Sequence, residues 1–447
     1  MQRHHSIVVL AIVLTACGNS ASSSQPLAAP STFTPSPLAS DAAATAATAA
    51  TAATAATPNV GDATDPLSAV TLVASDGRVW TRGGTSGALD GVVAADGKTV
   101  VAVAPSSGEE SATVAWFDSS TGETLAAVDI GPALRVSAVS SSGDLAVLTD
   151  AKAGGAAASS HIVAVDRRTG TLGDWTMPGN LVPEAFSDAF PDGGNGLPIG
   201  IFVIEYIRPD VYRVRVLDTI SGVLSLPLNL RNKSQTVDEA MEAIGRTAAF
   251  DSANRLLFTL YQGVADDGLP TTAFVHTLGL INGVYCLDLP PALALGELPG
   301  ALAVDPWGRR LYVASPNGGL AAFTIRDILD PAVAPVAEPV AWFESGASVA
   351  VLATDDDVVV AFNAPVGVED GVAALVLHLD PVTLAELRRF TSDIAVEAMA
   401  MTATGDLILA GDGRLRVVNA MGTVLGERRL PDDLGTIATL VVGPLPA

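Results

Sequence analysis

The stretch Pro299-Gly-Ala-Leu-Ala-Val-Asp-Pro-Trp-Gly-Arg-Arg-Leu-Tyr-Val-Ala314 decides how this 447-residue chain is read. Two short apolar runs, Ala301–Val304 and Leu311–Ala314, flank Asp305-Pro-Trp-Gly308. Asp and Gly are turn formers: Asp bonds nearby backbone amides, and Gly takes positive φ without steric cost. The runs are too short for helices and are bounded by turn residues, so the segment reads as a β-hairpin.

The same unit recurs with other letters. It stands at Val92-Val-Ala-Ala-Asp-Gly-Lys-Thr-Val-Val-Ala-Val103 and at Val136-Ser-Ala-Val-Ser-Ser-Ser-Gly-Asp-Leu-Ala-Val-Leu148. It returns at Thr247–Phe258 and Met399–Leu409. A second unit follows several copies: an apolar strand ending in Asp, then Thr or Ser, then Gly. It reads Asp118-Ser-Ser-Thr-Gly122, Asp166-Arg-Arg-Thr-Gly170 and Asp218-Thr-Ile-Ser-Gly222, with a degenerate Asp380-Pro-Val-Thr383 that lacks the Gly. These turn residues, with Asp305 and Gly308, are expected to be structural. Each repeat is therefore strand, turn, strand, strand, Asp turn, strand, which makes one four-stranded antiparallel sheet.

The 299–314 stretch resembles the blade signature of YVTN-type, NHL-type and WD40-like β-propellers, and the weaker copies extend that resemblance over most of residues 67–447. It implies an all-β propeller of seven or eight four-stranded blades. First-strand candidates fall near residues 92, 136, 183, 246, 300, 347, 396 and 437. The last has no strands after it, and the hairpin at Val70–Trp80 has none before it. Sharing a blade between the N- and C-terminal strands would close the ring. Val237–Ile244 reads as one short helix or an insertion loop.

The N-terminus carries a different signal. Arg3, His4 and His5 precede an apolar run from Ile7 to Ala16, which the stretch Leu14-Thr15-Ala16-Cys17 closes. A positive start, a short apolar segment and small residues before a cleavage point are features of an export signal. Cysteine after Leu-Thr-Ala resembles the lipobox of bacterial lipoproteins. That resemblance implies cleavage between Ala16 and Cys17, with acyl chains such as palmitate on Cys17. Residues 1–16 would then be a signal peptide, 17–66 a tether and 67–447 the propeller. The tether is Ala-, Ser-, Thr- and Pro-rich, with Thr45, Thr48, Thr51, Thr54 and Thr57 on a period of three. It lacks the apolar residues for a core. A period of three suits polyproline II, alanine favours transient helix, and the threonines are candidate O-glycosylation sites. An extracytoplasmic, lipid-anchored protein results, on the outer membrane if the cell has two membranes.

The charge balance narrows the partners. With 48 acidic and 24 basic residues the formal net charge is −24. Such a chain repels phosphate backbones, so nucleic acid is not expected, and attachment to a membrane falls to the lipid. Only Cys17 and Cys286 exist. With Cys17 acylated, Cys286 stays unpaired, and its apolar neighbours make it a small buried hydrophobe. No basic residue lies near it in sequence to activate the thiol.

Chemistry is sparse. His161, His276 and His378 fall in different repeats and read as structural, and no zinc-type spacing is present. Asp266-Asp267 and Asp355-Asp356-Asp357 read as solvated turns before they read as calcium ligands. Glu205, a carboxylate in an apolar strand, is either a site residue or one half of a buried pair. The five tryptophans are spread over the repeats and suggest packing between blades. No metal ligand set and no cofactor are expected. The leading expectation is a monomeric, non-catalytic binding or scaffold module for an envelope protein, an extracellular protein or a small ligand. The alternatives are a lactonase-type hydrolase with a metal in the propeller channel, as the family resemblance allows, and a structural envelope protein.

Overall fold

The protein's structure, a computed structural model, describes Leu67 and residues 70–442 apart from connecting segments, the longest at 188–199 and 228–239. The segment 1–16 expected to be a signal, the expected lipidation residue Cys17, the expected tether and Asp266-Asp267 lie outside the described residues.

The chain is almost entirely antiparallel sheet. Strands β1 (Val70–Ala74) and β2 (Val79–Thr81) come first. A sheet follows from β3 (Asp90–Val93), β4 (Thr99–Pro105), β5 (Ala112–Asp118) and β6 (Thr124–Ile130). The next holds β7 (Arg135–Val139), β8 (Leu145–Thr149), β9 (Ser159–Asp166) and β10 (Gly170–Pro178). Then come β11 (Asn180–Phe186), β12 (Gly200–Arg208), β13 (Val211–Asp218) and the two-residue β14 (Leu224–Ser225). They are followed by β15 (Met241–Asp251), β16 (Leu256–Val264), β17 (Pro270–Gly279) and β18 (Gly283–Asp288). A further sheet contains β19 (Ala301–Val304), β20 (Arg310–Ala314), β21 (Gly319–Thr324) and β22 (Val340–Trp342), with the single-turn helix α1 (Ile325–Leu329) before β22. The last two full sheets are β23 (Ser348–Ala353), β24 (Val358–Asn363), β25 (Ala374–Leu379) and β26 (Glu386–Ser392), then β27 (Ala398–Met401), β28 (Leu407–Gly411), β29 (Arg414–Val418) and β30 (Val424–Arg429). Strand β31 (Ile437–Val442) pairs antiparallel with β1, Val70 opposite Val442, in a sheet ordered β2-β1-β31.

Each set of four is a propeller blade in strand order, and the residue pattern explains why. Second strands such as β8 and β24 are buried along their whole length, so both faces must be apolar. Fourth strands such as β6 and β26 alternate between exposed and covered, since only one face meets a neighbour. The core lies between successive sheets. Val101, Val114 and Trp116 pack on Val136, Leu148 and Val165, for example, and Tyr312, Ala314 and Phe362 share another cluster with Val360 and Leu377. Val79 of β2 packs on Val100 and Ala102 of β4.

Two expectations change. Met241–Ile244 is neither helix nor loop but the start of β15. Because β14 covers only Val216 and Leu217, the far end of β13 stays open, and Val211 and Tyr212 pair with Glu242 and Met241 instead. The third and fourth blades are thereby one continuous sheet rather than two independent sets of four. Asp380-Pro-Val-Thr383, which lacks a Gly, still makes the turn: Leu384 itself takes φ 56 and donates its amide to the Asp380 carbonyl at 2.9 Å. The strain of that conformation is offset by burying Leu384 in the core between blades.

Candidate functional site

The antiparallel order gives the domain two ends. One carries the first-to-second and third-to-fourth strand ends of the blades built of consecutive strands, and we call it the turn face. There the Asp carboxylates fold the chain back on itself. Asp166 Oδ1 accepts the amides of Arg168 and Thr169 at 2.8 Å, and Asp218 Oδ1 accepts those of Ile220 and Ser221 at 2.9 and 2.8 Å. Asp118 Oδ1 accepts the Thr121 amide at 2.9 Å, and Gly122 and Gly222 have φ 72 and 67. Gly170, φ 89, opens β10. Burial pushes the Asp166 carboxyl up, but its amide and Thr169 hydroxyl bonds outweigh that and hold it below the usual carboxylate range. Asp305 caps a first-to-second turn: its carboxylate takes the Arg309 side chain at 2.8 Å and the Arg310 amide at 3.1 Å, with Gly308 at φ 65. These eight residues build the blade turns.

The inner strands of three neighbouring blades hold a more distinctive arrangement. Three successive innermost strands each carry a β-bulge: β7 at Ser137, β11 at Glu184, and β15 at Gly245 and Arg246. A bulge re-aims the side chain of its extra residue, and here the bulged residues and their neighbours make contacts that join adjacent blades. Ser137 Oγ donates to the Pro183 carbonyl at 2.6 Å, Glu184 pairs with Arg246, and Thr247 Oγ1 donates to the Gly300 carbonyl at 2.8 Å. The Glu184 side chain is 6% exposed and that of Arg246 is 41% exposed, so the guanidinium covers the acid and still meets solvent.

At the end opposite the turn face the joined third and fourth blades rise above the fifth blade, while the loop of the second blade at Gly154 packs beside Pro209. Strand β12 has nine residues where β20 has five, and both begin at the turn face. The excess therefore projects at the far end, by roughly 13 Å at about 3.3 Å per residue. Its crest exposes Ile207, Ile244 and Leu269 around the Arg208–Glu242 ion pair of 3.2 Å. Below them lies a pile of rings: Tyr206 to Tyr212 at 6.2 Å, Tyr212 to Tyr261 at 4.9 Å, and Tyr261 to Phe274 at 5.6 Å. Burial pushes the Tyr212 hydroxyl well up; it does the same to Tyr261, partly offset by the Arg246 guanidinium beside it.

Glu205 resolves as a paired carboxylate beneath the crest. It takes Arg213 in a two-pronged contact at 2.6 and 3.0 Å and Arg215 Nε at 3.1 Å. The histidines stay apart, each on the third strand of its blade. His161 Nε2 meets Asp174 at 2.7 Å. His378 Nδ1 lies 2.6 Å from Asp357 and 2.9 Å from Arg388, its Nε2 buried without a partner among the described residues. Asp357 is therefore held in a buried cluster, unlike its solvated neighbours Asp355 and Asp356.

His276 stands directly opposite Cys286 in the β17–β18 register, a proximity that sequence separation concealed. Burial drops the His276 imidazole to about 4, so at neutral pH it carries no charge to draw a thiolate. Cys286 is half-buried rather than enclosed. Of the tryptophans, Trp116 is fully buried and Trp175 packs against Gly222 of the next blade, whereas Trp307 and Trp342 are exposed. Among the described residues no three His, Cys, Asp or Glu side chains converge as a metal site, and no helix is long and apolar enough to cross a membrane.

No protein-family model matches the chain, and no curated protein matches it in sequence. Solved structures do. BamB from Moraxella catarrhalis is 18% identical over 74% of this chain and 85% of its own, at a TM-score of 0.43. Sqt1 from Saccharomyces cerevisiae is 12% identical over 76% of this chain and 84% of its own, at 0.44. The dihydro-heme d1 dehydrogenase NirN is 15% identical over 82% and 74%, at 0.41.

Proposed function

We propose that this chain is a lipid-anchored, extracytoplasmic β-propeller of eight blades that binds a protein partner through the crest of its third and fourth blades. The observation that carries the binding role is the crest itself. Aliphatic tips and an arginine–carboxylate pair form one raised surface held rigid by the buried tyrosine pile beneath it, and apolar groups with arginine are where binding energy concentrates at protein interfaces. The bulge row fixes its base, because Glu184–Arg246 ties the inner strands of the two blades together. Eight rather than seven blades is supported by the pairing of β31 with β1, which adds a shared blade to the seven built of consecutive strands. The packing of β2 on β4 supports a closed ring. Anchoring rests on the lipobox resemblance at Cys17, and the net charge of −24 leaves the lipid as the means of attachment.

The test is a cross-linked pull-down of the full-length lipoprotein from its own envelope, wild type against Ile207→Asp/Leu269→Asp. A stoichiometric protein retained by wild type and lost with the double variant is the expected result. A partner held equally by both would remove the crest from the proposal. Absence of any protein would favour a small ligand, and metal analysis of the purified chain would then address the hydrolase alternative.

A further inference from the structure

Three turns on the turn face carry residues that turns seldom carry. Turn tips are ordinarily polar, yet the same position of three Asp- or Asn-led turns carries a large apolar residue. Ile220, Val382 and Met421 each stand two residues after the leading Asp218, Asp380 or Asn419, and are 62%, 58% and 74% exposed. Trp307, in the first-to-second turn of the fifth blade, projects at the same end and is 62% exposed. Hydrogen bonds between blades show that these ends coincide: Asn254 Nδ2 donates to the Gly308 carbonyl at 2.7 Å, and Arg310 Nη1 donates to the Val382 carbonyl at 3.0 Å. Four apolar side chains on four different blades thus point out of one end of the domain. They are spread too widely to line a pocket for a small ligand, but a broad flat surface meets them together.

The chain enters the propeller at this same end. Strand β1 begins there, and Thr71 Oγ1 donates to the carbonyl of Ser119 in the Asp118 turn. About 50 residues separate Cys17 from Leu67 in sequence, and a flexible chain of that length has an end-to-end distance of roughly 40 Å. We infer that the turn face is a lipid-docking surface, lying against the bilayer that holds the Cys17 anchor, with Trp307, Ile220, Val382 and Met421 seated in the headgroup zone. This rests on the anchoring reading for its geometry. Tryptophan favours that zone because its ring is apolar and its N–H polar. Exposed Arg168 and Arg309 on the same end are placed to meet lipid phosphate, while the acidity of the whole chain favours a zwitterionic over an anionic membrane. Tethering makes each weak insertion intramolecular, so shallow contacts at several tips suffice. The crest is then presented away from the membrane.

The test reconstitutes the purified full-length lipoprotein in phosphatidylcholine vesicles whose acyl chains carry bromine near the headgroup. Trp307 emission is taken as the difference between wild type and Trp307→Phe. The expected result is loss of Trp307 emission in brominated vesicles, and recovery of that emission in Ile220→Asp/Val382→Asp/Met421→Asp, whose changes sit on solvent-exposed turns. Unquenched Trp307 in vesicle-bound protein overturns the proposal, as does quenching that the triple variant leaves intact. Self-association that depends on protein concentration and is abolished by the same variant would assign the face to a second copy and also overturn it. Mass analysis of Cys17 reports anchoring separately. If the chain proves unlipidated, quenching is still expected at high lipid concentration, and its absence there refutes the docking surface.

Discussion

Three glycines with similar backbone conformations offer a graded test of how blades are held together. Gly413, Gly222 and Gly422 have φ 67, 67 and 79, so alanine at any of them suffers the left-handed penalty of about 1–2 kcal/mol. Their surroundings differ. A Cβ on Gly413 would meet nothing within 4 Å. On Gly222 it would stand 3.1 Å from Cδ1 of Trp175 in the preceding blade, a contact the ring can relieve by shifting slightly. On Gly422 it would stand 2.5, 2.6 and 2.7 Å from Cγ, Cδ2 and Cβ of Phe390. The root of that side chain is blocked along with its ring, so rotation about χ2 offers no escape. Overpacking of this kind adds about 1–3 kcal/mol. Gly413→Ala should therefore cost about 1 kcal/mol, Gly222→Ala about 2 and Gly422→Ala about 3. Urea unfolding followed by tryptophan fluorescence reads the series through the transition midpoint at constant slope. Phe390→Leu should recover part of the Gly422→Ala loss by freeing space. Equal losses at all three sites, or no rescue by Phe390→Leu, would mean that backbone strain alone is felt and that the glycine–aromatic contact between blades is not a packing constraint.

Other expectations follow from the charged clusters and the N-terminus. Arg246→Ala leaves the Glu184 carboxylate buried without its partner and should cost about 2 kcal/mol by urea unfolding, while Glu184→Gln/Arg246→Ala should be less damaging than Arg246→Ala alone. At Asp357 burial pushes the carboxyl up, but the His378 and Thr354 hydrogen bonds, with Arg388, outweigh it and hold the group below its ordinary value. A carboxyl depressed in the folded state stabilises the fold above its unfolded value and loses that contribution as pH falls through the folded one. Wild type should therefore lose stability more steeply than Asp357→Asn below about pH 4, as chemical unfolding at stepped pH would show. Cys17→Ser should release the chain from the membrane fraction or leave it as an uncleaved precursor, and wild-type processing and membrane binding of that variant would remove the lipobox reading.

Local chemistry explains what could be read directly from the residues. A hairpin needs apolar runs and a turn between neighbours in sequence, so Ala301–Ala314, the Asp-led turns and the eight first-strand positions stood out in the letters. Substitutions that depend on burial were less visible. Leu384 replaces the turn glycine because the neighbouring blade buries it, and Asn419 leads a turn that an Asp-based pattern overlooks. The strand at Met241 was hidden because its partner, β13, is open only where β14 stops short.

Charge, repeat and the proposed export signal are read along the chain, since each depends on residues a few positions apart: the acidic excess, the alternation of apolar runs with turns, and Arg3 to Cys17. The pairs that define surfaces and sites lie far apart in sequence, such as Glu184 with Arg246, Asp357 with His378, and His276 with Cys286. Their side chains meet only because sheet register and blade-to-blade packing bring them within bonding distance. The same holds for the two ends of the domain. Ile220, Trp307, Val382 and Met421 are unremarkable turn residues one at a time, and antiparallel strand order alone sets them on one face, opposite the crest raised by the long hairpins of the third and fourth blades.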